Sequence, residues 1–357
     1  MLQRSTHQEV FTNHPGDQLA LYTTSPETQA LGYTLRTVEV PDISERSETF
    51  ATTHEALNQL NDLLEQNPTW EAPLISEDGQ ELILDPDNTA TNALYVGENV
   101  ESARHWRLNL VPSALALEAL ALKSDYLPTT DVKIDEATRD IFTNSADARA
   151  IRSRGALMRE LIAEHSADKN PVTEQKWISL ACGAARPVLE AAERVKQNGN
   201  TPIDVTLVDY DPVVLNYSSD LAESIDGAAH HREIESDLRR TMIAKDTLVQ
   251  EFGEESMDMV DIMGFLEYCP DKAAVNMLRN SYRLTAPGGM LLTANMREDR
   301  PEKQIHLRGI GWPGVQMRSH EELVELAVRA GINPEHIEAY QPTDGVYTIL
   351  KIIKPIS

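Results

Sequence analysis

The residues best placed to do chemistry follow four apolar runs. "WISLA" (177–181) leads into "ACGAAR", a turn in which Gly183 can take a positive φ or let the backbone approach a ligand. Pro187 behind it pre-sets the first turn of a helix. Free N–H groups at such a start favour a carboxylate or another anion, although turns of this kind also serve only to pack a strand on a helix. "VTLVDYDP" ends the second run in Asp209, 26 residues beyond Gly183, with Tyr210 after it. A carboxylate there suits the two hydroxyls of a ribose as a bidentate acceptor; an ordinary turn residue is the plainer alternative. Asp211, directly before Pro212, reads as a helix N-cap. "IESDL" ends the third run, where Asp237 could accept from an exocyclic amine with Leu238 against a base, or both could simply open a loop. The fourth run leads into Gly264, Phe265, Leu266, Glu267 and Tyr268, an aromatic and a carboxylate that suit a pocket better than a plain loop.

The elements that must position these turns alternate. Strands are predicted at 176–181, 204–209, 230–235, 257–263 and 289–295, with helical stretches "PVLEAAERVKQ", "PVVLNYSSDLAESI" and "DKAAVNMLRNSYRLT" between them. Such alternation means a parallel sheet with helices on its faces, and ligands of such sheets bind beyond the carboxyl ends of the strands. After the helix "SHEELVELAVRAG" come two strands joined at Thr343-Asp344-Gly345, an antiparallel hairpin that closes the sheet. An amphipathic helix over 146–167 precedes all of this. Upstream, 54–67 carries leucines at helical spacing, 73–85 reads as a hairpin about Asp78-Gly79, and 112–127 reads as a packed helix. No repeat or low-complexity tract appears.

Bulk composition narrows the function. Asp and Glu number 57 against 32 Lys and Arg, a net charge of −25 in 357 residues. Such a surface repels phosphate backbones and anionic membranes, so neither is an expected partner. No tract of 18 apolar residues exists, and the opening "MLQRSTHQEVFTNHPGDQ" lacks an apolar segment, so a cytoplasmic location is expected. Cys182 and Cys269 alone make neither a disulfide framework nor a zinc cluster, and no metal is expected.

The stretch from about 146 to 355 resembles the class I S-adenosylmethionine-dependent methyltransferases. The likeness rests on "ISLACGAAR", "VTLVDYDP", "IESDL", "VDIMGFLEY" and "LTAPGGMLLTAN". It implies an α/β fold with a Rossmann-like, mostly parallel seven-stranded sheet whose last strand is antiparallel through a C-terminal hairpin. It further implies S-adenosyl-L-methionine as cofactor. Ala181, Cys182 and Gly183 would line its methionine part, Asp209 its ribose, Asp237 and Leu238 its adenine, with Tyr210, Gly264 and Phe265 completing the site. Arg154, with Arg152 beside it, would pair with the cofactor carboxylate, unless both lie on a solvated helix face. The chain departs from the family at Ser179, where an acid is usual, and at Ala181 and Ala185, where glycines are usual. A dinucleotide's pyrophosphate needs very close backbone approach, whereas S-adenosylmethionine has none, so these alanines count more against a nicotinamide enzyme.

Glu267, Tyr268 and His306 are the catalytic candidates, and Arg308 and Trp312 of the long segment "QIHLRGIGWPGVQMRS" the substrate-binding ones. A surface role for His306 and a packing role for Trp312 stay open. Residues 126–357 would then form the methyltransferase domain, with a helical lead-in over 146–168 and the sheet core over 175–355. Residues 1–125 would form an accessory α+β cap giving selectivity for a small-molecule substrate. An NAD-dependent oxidoreductase and a non-catalytic binding subunit of the same fold are the alternatives.

Overall fold

The computed structural model of the protein describes residues 9–10, 20–22, 32–68, 74–75, 81–82, 93–95, 99–167, 174–197, 203–225, 229–312 and 314–356. In chain order the strands are β1 (Glu9–Val10), β2 (Ala20–Tyr22), β3 (Thr34–Glu39), β4 (Leu74–Ile75), β5 (Glu81–Leu82), β6 (Gln175–Leu180) and β7 (Ile203–Asp209). They continue with β8 (Ala229–Glu235), β9 (Met257–Ile262), β10 (Thr285–Met296), β11 (Ile337–Pro342) and β12 (Tyr347–Ile353). The first helices are α1 (Phe50–Gln66), α2 (Glu101–Asn109), α3 (Ala114–Leu120), α4 (Glu136–Asn144) and α5 (Ala146–Ala167). Then come α6 (Arg186–Gln197), α7 (Pro212–Ser224), α8 (Thr247–Phe252), α9 (Asp271–Leu284) and α10 (His320–Arg329).

Two compact units divide the chain. One comprises Met1–Pro41, Ser153–Glu298 and Gln316–Ser357; the other comprises Asp42–Arg152 and Asp299–Val315. This division differs from a split at residue 125. The reason lies in the sheet, whose order is β1-β2-β3-β11-β12-β10-β9-β6-β7-β8. From β8 to β11 it contains the expected seven strands, parallel except where β12 runs against β10 and β11. The segment before residue 42 extends it further. β3 pairs in parallel with β11, from Thr34 opposite Glu338 to Val38 opposite Pro342, and Arg36 meets Glu338 at 3.2 Å. A row of unpaired β11 amides and carbonyls would otherwise be open at that edge.

Apolar runs become central strands because both of their faces are covered. Ile178, Leu180, Val208, Val260, Ile262 and Leu350 are all fully buried, in one core with Met277 and Leu278 of α9 and Leu323 of α10. Each such side chain contributes about 1.5–3 kcal/mol relative to exposure.

The second unit is mainly helical. Trp106 donates from its indole to the Ala116 carbonyl at 2.9 Å and meets Phe142 edge-on at 5.2 Å. Asp135 caps α4 through the Thr138 amide. The helix expected over 112–127 covers only Ala114–Leu120, because Leu122 takes a left-handed φ of +52° and the chain turns away. The hairpin expected over 73–85 pairs Leu74 with Leu82, while its turn at Asp78-Gly79 lies outside the described residues. No helix among the described residues is long and apolar enough to cross a membrane.

Candidate functional site

The carboxyl ends of β6, β7 and β9 bring together most of the residues singled out in the sequence. After β6 the chain turns through Ala181, Gly183 and Ala185, all with φ between 53° and 54°. The two alanines thus stand in the left-handed conformation for which glycine is the usual choice, at about 1 kcal/mol or more each. The Gly183 amide donates to Asp209 Oδ2 at 3.0 Å, and Cys182 donates from its amide to the Val208 carbonyl at 2.9 Å. Asp209 Oδ1 accepts from the amides of Tyr210 (2.8 Å) and Asp211 (3.1 Å). Burial pushes the Asp209 carboxyl up despite these donors. A carboxylate offers about four lone-pair sites, so capacity for a ligand hydroxyl is left. Tyr210 beside it is exposed, and Asp211 caps α7 through the Val213 amide at 2.9 Å as its place before Pro212 implied.

At the end of β8 the picture is mixed. Asp237 accepts from Arg239 Nε at 3.0 Å, and this guanidinium holds its carboxyl below the usual range. An exocyclic amine would have to share the carboxylate with Arg239. Leu238 does not present its side chain to a ligand face: it is 3% exposed and belongs to the sheet core with Met242. The hydrophobic core claims it because the chain goes straight on into a π-helical turn, Arg239–Ile243.

Arg154 lies beside the carboxyl end of β9. Its guanidinium carbon lies 4.6 Å from the centroid of the Tyr347 ring, and Nη1 is buried without a hydrogen bond among the described residues. Burial alone would lower its pKa, but Tyr347, Glu267, Tyr268 and Asp261 around it outweigh that and raise it. Gly264 makes room: φ is +92°, and a Cβ there would stand 3.3 Å from Arg154 Nη1. Phe265 packs partly buried against the core, Glu267 is buried with its carbonyl accepting from the Gln316 amide at 2.6 Å, and Tyr268 is 39% exposed. Arg152 goes elsewhere. Its five N–H groups serve Asp42 (2.7 and 2.8 Å) and the carbonyls of Leu120, Phe142 and Thr143, so no donor remains for a cofactor. Two residues along a helix, the same side-chain type points to a different neighbourhood.

One group at these strand ends escaped the sequence reading. Ser179, standing where an acid was expected, donates to Asp261 Oδ2 at 2.6 Å from the register position directly opposite on β9. The available signal was a lone charge inside the apolar run "MVDIM".

His306, Arg308 and Trp312 belong to the second unit. His306 is 3% exposed; Nδ1 lies 3.2 Å from the Asp147 carboxylate, which also takes Arg300 Nη1 at 2.8 Å. Burial would raise the Asp147 carboxyl, but Arg300 and His306 hold it well below the usual range. His306 Nε2 is buried without a hydrogen bond among the described residues. Arg308 donates to the carbonyls of Leu64 and, at 2.9 Å, Asn67, closing the C-terminal end of α1. Trp312 is buried, its amide donating to the His306 carbonyl at 3.3 Å. As placed, Arg308 and Trp312 hold their segment in the second unit, a role their residue types fit equally well.

No protein-family model matches the chain, and neither does the sequence of any curated protein. Solved structures do match. A possible exported protein from Bordetella parapertussis is 17% identical, with a TM-score of 0.57 over 71% of this chain and 83% of that one. Magnesium protoporphyrin IX methyltransferase from Synechocystis, crystallised with S-adenosylhomocysteine, is 13% identical at a TM-score of 0.43, over 59% and 88%. A Burkholderia thailandensis didemethyltoxoflavin N1-methyltransferase is 18% identical at 0.38, over 58% and 83%. Such identities speak to fold and not to activity. The likeness to the Bordetella protein is one of fold, an α/β fold whose mostly parallel sheet has antiparallel C-terminal strands. Within it the buried arginine, the strand-end carboxylates and the left-handed turn all fall at the carboxyl ends of the strands, where open α/β sheets bind their ligands.

Proposed function

We propose that the protein is an S-adenosyl-L-methionine-dependent methyltransferase that methylates an oxygen, nitrogen or carbon of a small-molecule metabolite. The observation that carries this reading is that the carboxyl ends of the strands hold both Arg154, beside Gly264 after β9, and Asp209, bonded to the turn after β6. One supplies a buried cation with an unused donor, the other a carboxylate held by the Gly183 amide. The cofactor has an anionic group at its amino-acid end and a diol on its ribose, which are the groups such a pair would bind. When bound, it supplies an electrophilic methyl group on a sulfonium, transferred by in-line displacement. The chain's contribution is then chiefly positioning. Arg154 and the Gly183 turn fix the amino-acid end, and Asp209 fixes the ribose. Glu267 and Tyr268, both within the electrostatic reach of Arg154, are the groups to orient an acceptor or take its proton where it carries one. A net charge of −25 supports a metabolite over a nucleic acid as acceptor, and agrees with a cytoplasmic role.

Calorimetric titration with S-adenosylmethionine, S-adenosylhomocysteine and NAD tests the reading. The first two are expected to bind. Asp209→Ala should weaken them about 10- to 100-fold, since hydrogen bonds to a charged group contribute about 1.5–3 kcal/mol. An intact fold that binds neither sulfur ligand, or that binds NAD instead, would refute it.

A further inference from the structure

Glu267 and Tyr268 ride on a single 3₁₀ turn, Leu266–Tyr268. Two backbone bonds hold it internally, from the Tyr268 amide to the Phe265 carbonyl and from the Cys269 amide to the Leu266 carbonyl. Such turns have poorer hydrogen-bond geometry than α-helices and leave their last carbonyls in need of outside partners. We propose that Arg318 is the positioning residue of this turn, fixing Glu267 and Tyr268 where an acceptor must meet the cofactor's methyl group. This rests on the methyltransferase reading above and adds to it a residue that acts through others.

Arg318 is buried, and its guanidinium serves four groups around the turn. Nη1 donates to the Leu266 carbonyl at 3.2 Å and to Asn295 Oδ1 at 2.8 Å. Nη2 donates to the Cys269 carbonyl at 2.6 Å, and Nη2 and Nε both reach Asp271 Oδ1, at 3.1 and 3.3 Å. One side chain thus spans the turn from its first residue to the residue that closes it, and meets the start of α9 and the end of β10 as well. Backbone bonds repeat the arrangement. The Gln316 amide donates to the Glu267 carbonyl, and the Arg318 amide donates to the Met296 carbonyl at 2.9 Å. Asn295 Nδ2 donates to the carbonyls of Met296 and Gln316 at 2.9 and 2.8 Å. Residues 316–318 are therefore pinned to the end of β10, and the turn is pinned to them. Stability alone does not call for arginine here. Burial strips the guanidinium of its hydration, and the carboxylate of its partner Asp271 is 61% exposed, so solvent screens the pair. An apolar side chain of similar volume would fill the space without that cost. What the rigid, planar fork adds is a fixed set of directions to two carbonyls three residues apart. Sites on loops need such support, because a misplacement of 1 Å can cost about 100-fold in rate.

The test reads the methyl position with two ligands and needs no acceptor. Sinefungin carries an amine on carbon where S-adenosylmethionine carries its methyl on sulfur; S-adenosylhomocysteine has nothing there. A carboxylate and a phenol held at that position favour the amine. In calorimetric titrations of the full chain, wild type should therefore bind sinefungin about tenfold or more tighter than S-adenosylhomocysteine, the value of a hydrogen bond to a charged group. Arg318→Met is expected to bring that ratio below about threefold, with S-adenosylhomocysteine itself within about threefold of wild type. A merely structural role would weaken both ligands together. Arg318→Lys keeps a charge beside Asp271 but lacks the fork for both carbonyls, so it should give an intermediate ratio, and it decides the matter if the Met variant does not fold. An unchanged ratio in the variants, a parallel loss of both ligands, or no preference for sinefungin in wild type would overturn the assignment alone. A wild type that binds neither ligand would overturn the methyltransferase reading, and this assignment with it.

Discussion

Replacing Glu302 with Gln should alter the pH dependence of stability by a calculable amount. Glu302 is 3% exposed in the second unit, where Oε2 accepts from the Ala146 amide at 2.9 Å and Oε1 stands 3.8 Å from His54 Nδ1. Burial pushes its carboxyl up from 4.5 to about 7, and the Asp147 charge adds to that against the opposing pull of Arg300 and Arg149. The sign follows from the direction of the shift. The folded chain holds this proton more tightly than the unfolded one, so folding is favoured below pH 4.5 and loses that advantage as pH rises through 7. Linkage between those two values makes the loss from pH 5 to pH 8 about 2.5 kcal/mol. Gln keeps an acceptor for the Ala146 amide and has no proton to lose. Urea unfolding, followed by intrinsic fluorescence with Trp106 as a buried reporter in the same unit, should be run at both pH values. Titrating groups that do not interact with Glu302 cancel when the pH difference of the variant is subtracted from that of the wild type. Glu302→Gln should gain about 2.5 kcal/mol on wild type between pH 5 and pH 8. Parallel pH dependences in the two proteins would refute the account of Glu302 as a buried, protonatable acid.

Two further substitutions probe the structural readings. Ala181→Gly relieves a left-handed φ of 53° and should stabilise the chain by about 0.5–1 kcal/mol, once the greater freedom of glycine in the unfolded state is subtracted. A melting temperature that fails to rise would contradict the strained turn. Arg152→Met strands the Asp42 carboxylate, which Arg152 holds below its usual pKa against the effect of burial, and should cost about 3–5 kcal/mol by urea denaturation. A loss below 1 kcal/mol would mean that the five-donor hub does little for stability.

What the sequence disclosed, and what it hid, follows from the range of the interactions. The alternation of β6 to β10 with their helices was legible because each element carries its own period, and because both faces of these strands are buried. The turn at Gly183 and the carboxylate of Asp209 were legible for the same reason, as a strand end declares itself locally. Arg154 was found together with Arg152, and only the fold separates a buried cation at the strand ends from a hub for Asp42. The pairing of Ser179 with Asp261 was not legible, because it depends on the register between β6 and β9, 82 positions apart. The boundary at residue 125 failed on similar grounds, since nothing in "TLRTVE" announces that its partner is β11. The segment from Ile305 to Trp312 looked like a pocket wall because its residue types suit one. They suit a buried ion cluster and a helix cap equally well.

The union of β3 with β11 also dictates when the fold can be finished. Thr34 must find Glu338, about 300 residues later in the chain. At the usual pace of synthesis, about 5–20 residues per second, β3 leaves the ribosome roughly 15–60 s before its partner exists. Through that interval the second unit can fold most of its own sequence, Asp42–Arg152, while the strand ahead of it waits. Charged Arg36 and Glu39 within β3 suit such a wait, discouraging foreign strands until Glu338 arrives. Sheet completion is thus a late event, and cutting away the first 125 residues would remove strand β3 from the sheet and helices α1 to α3 from the second unit.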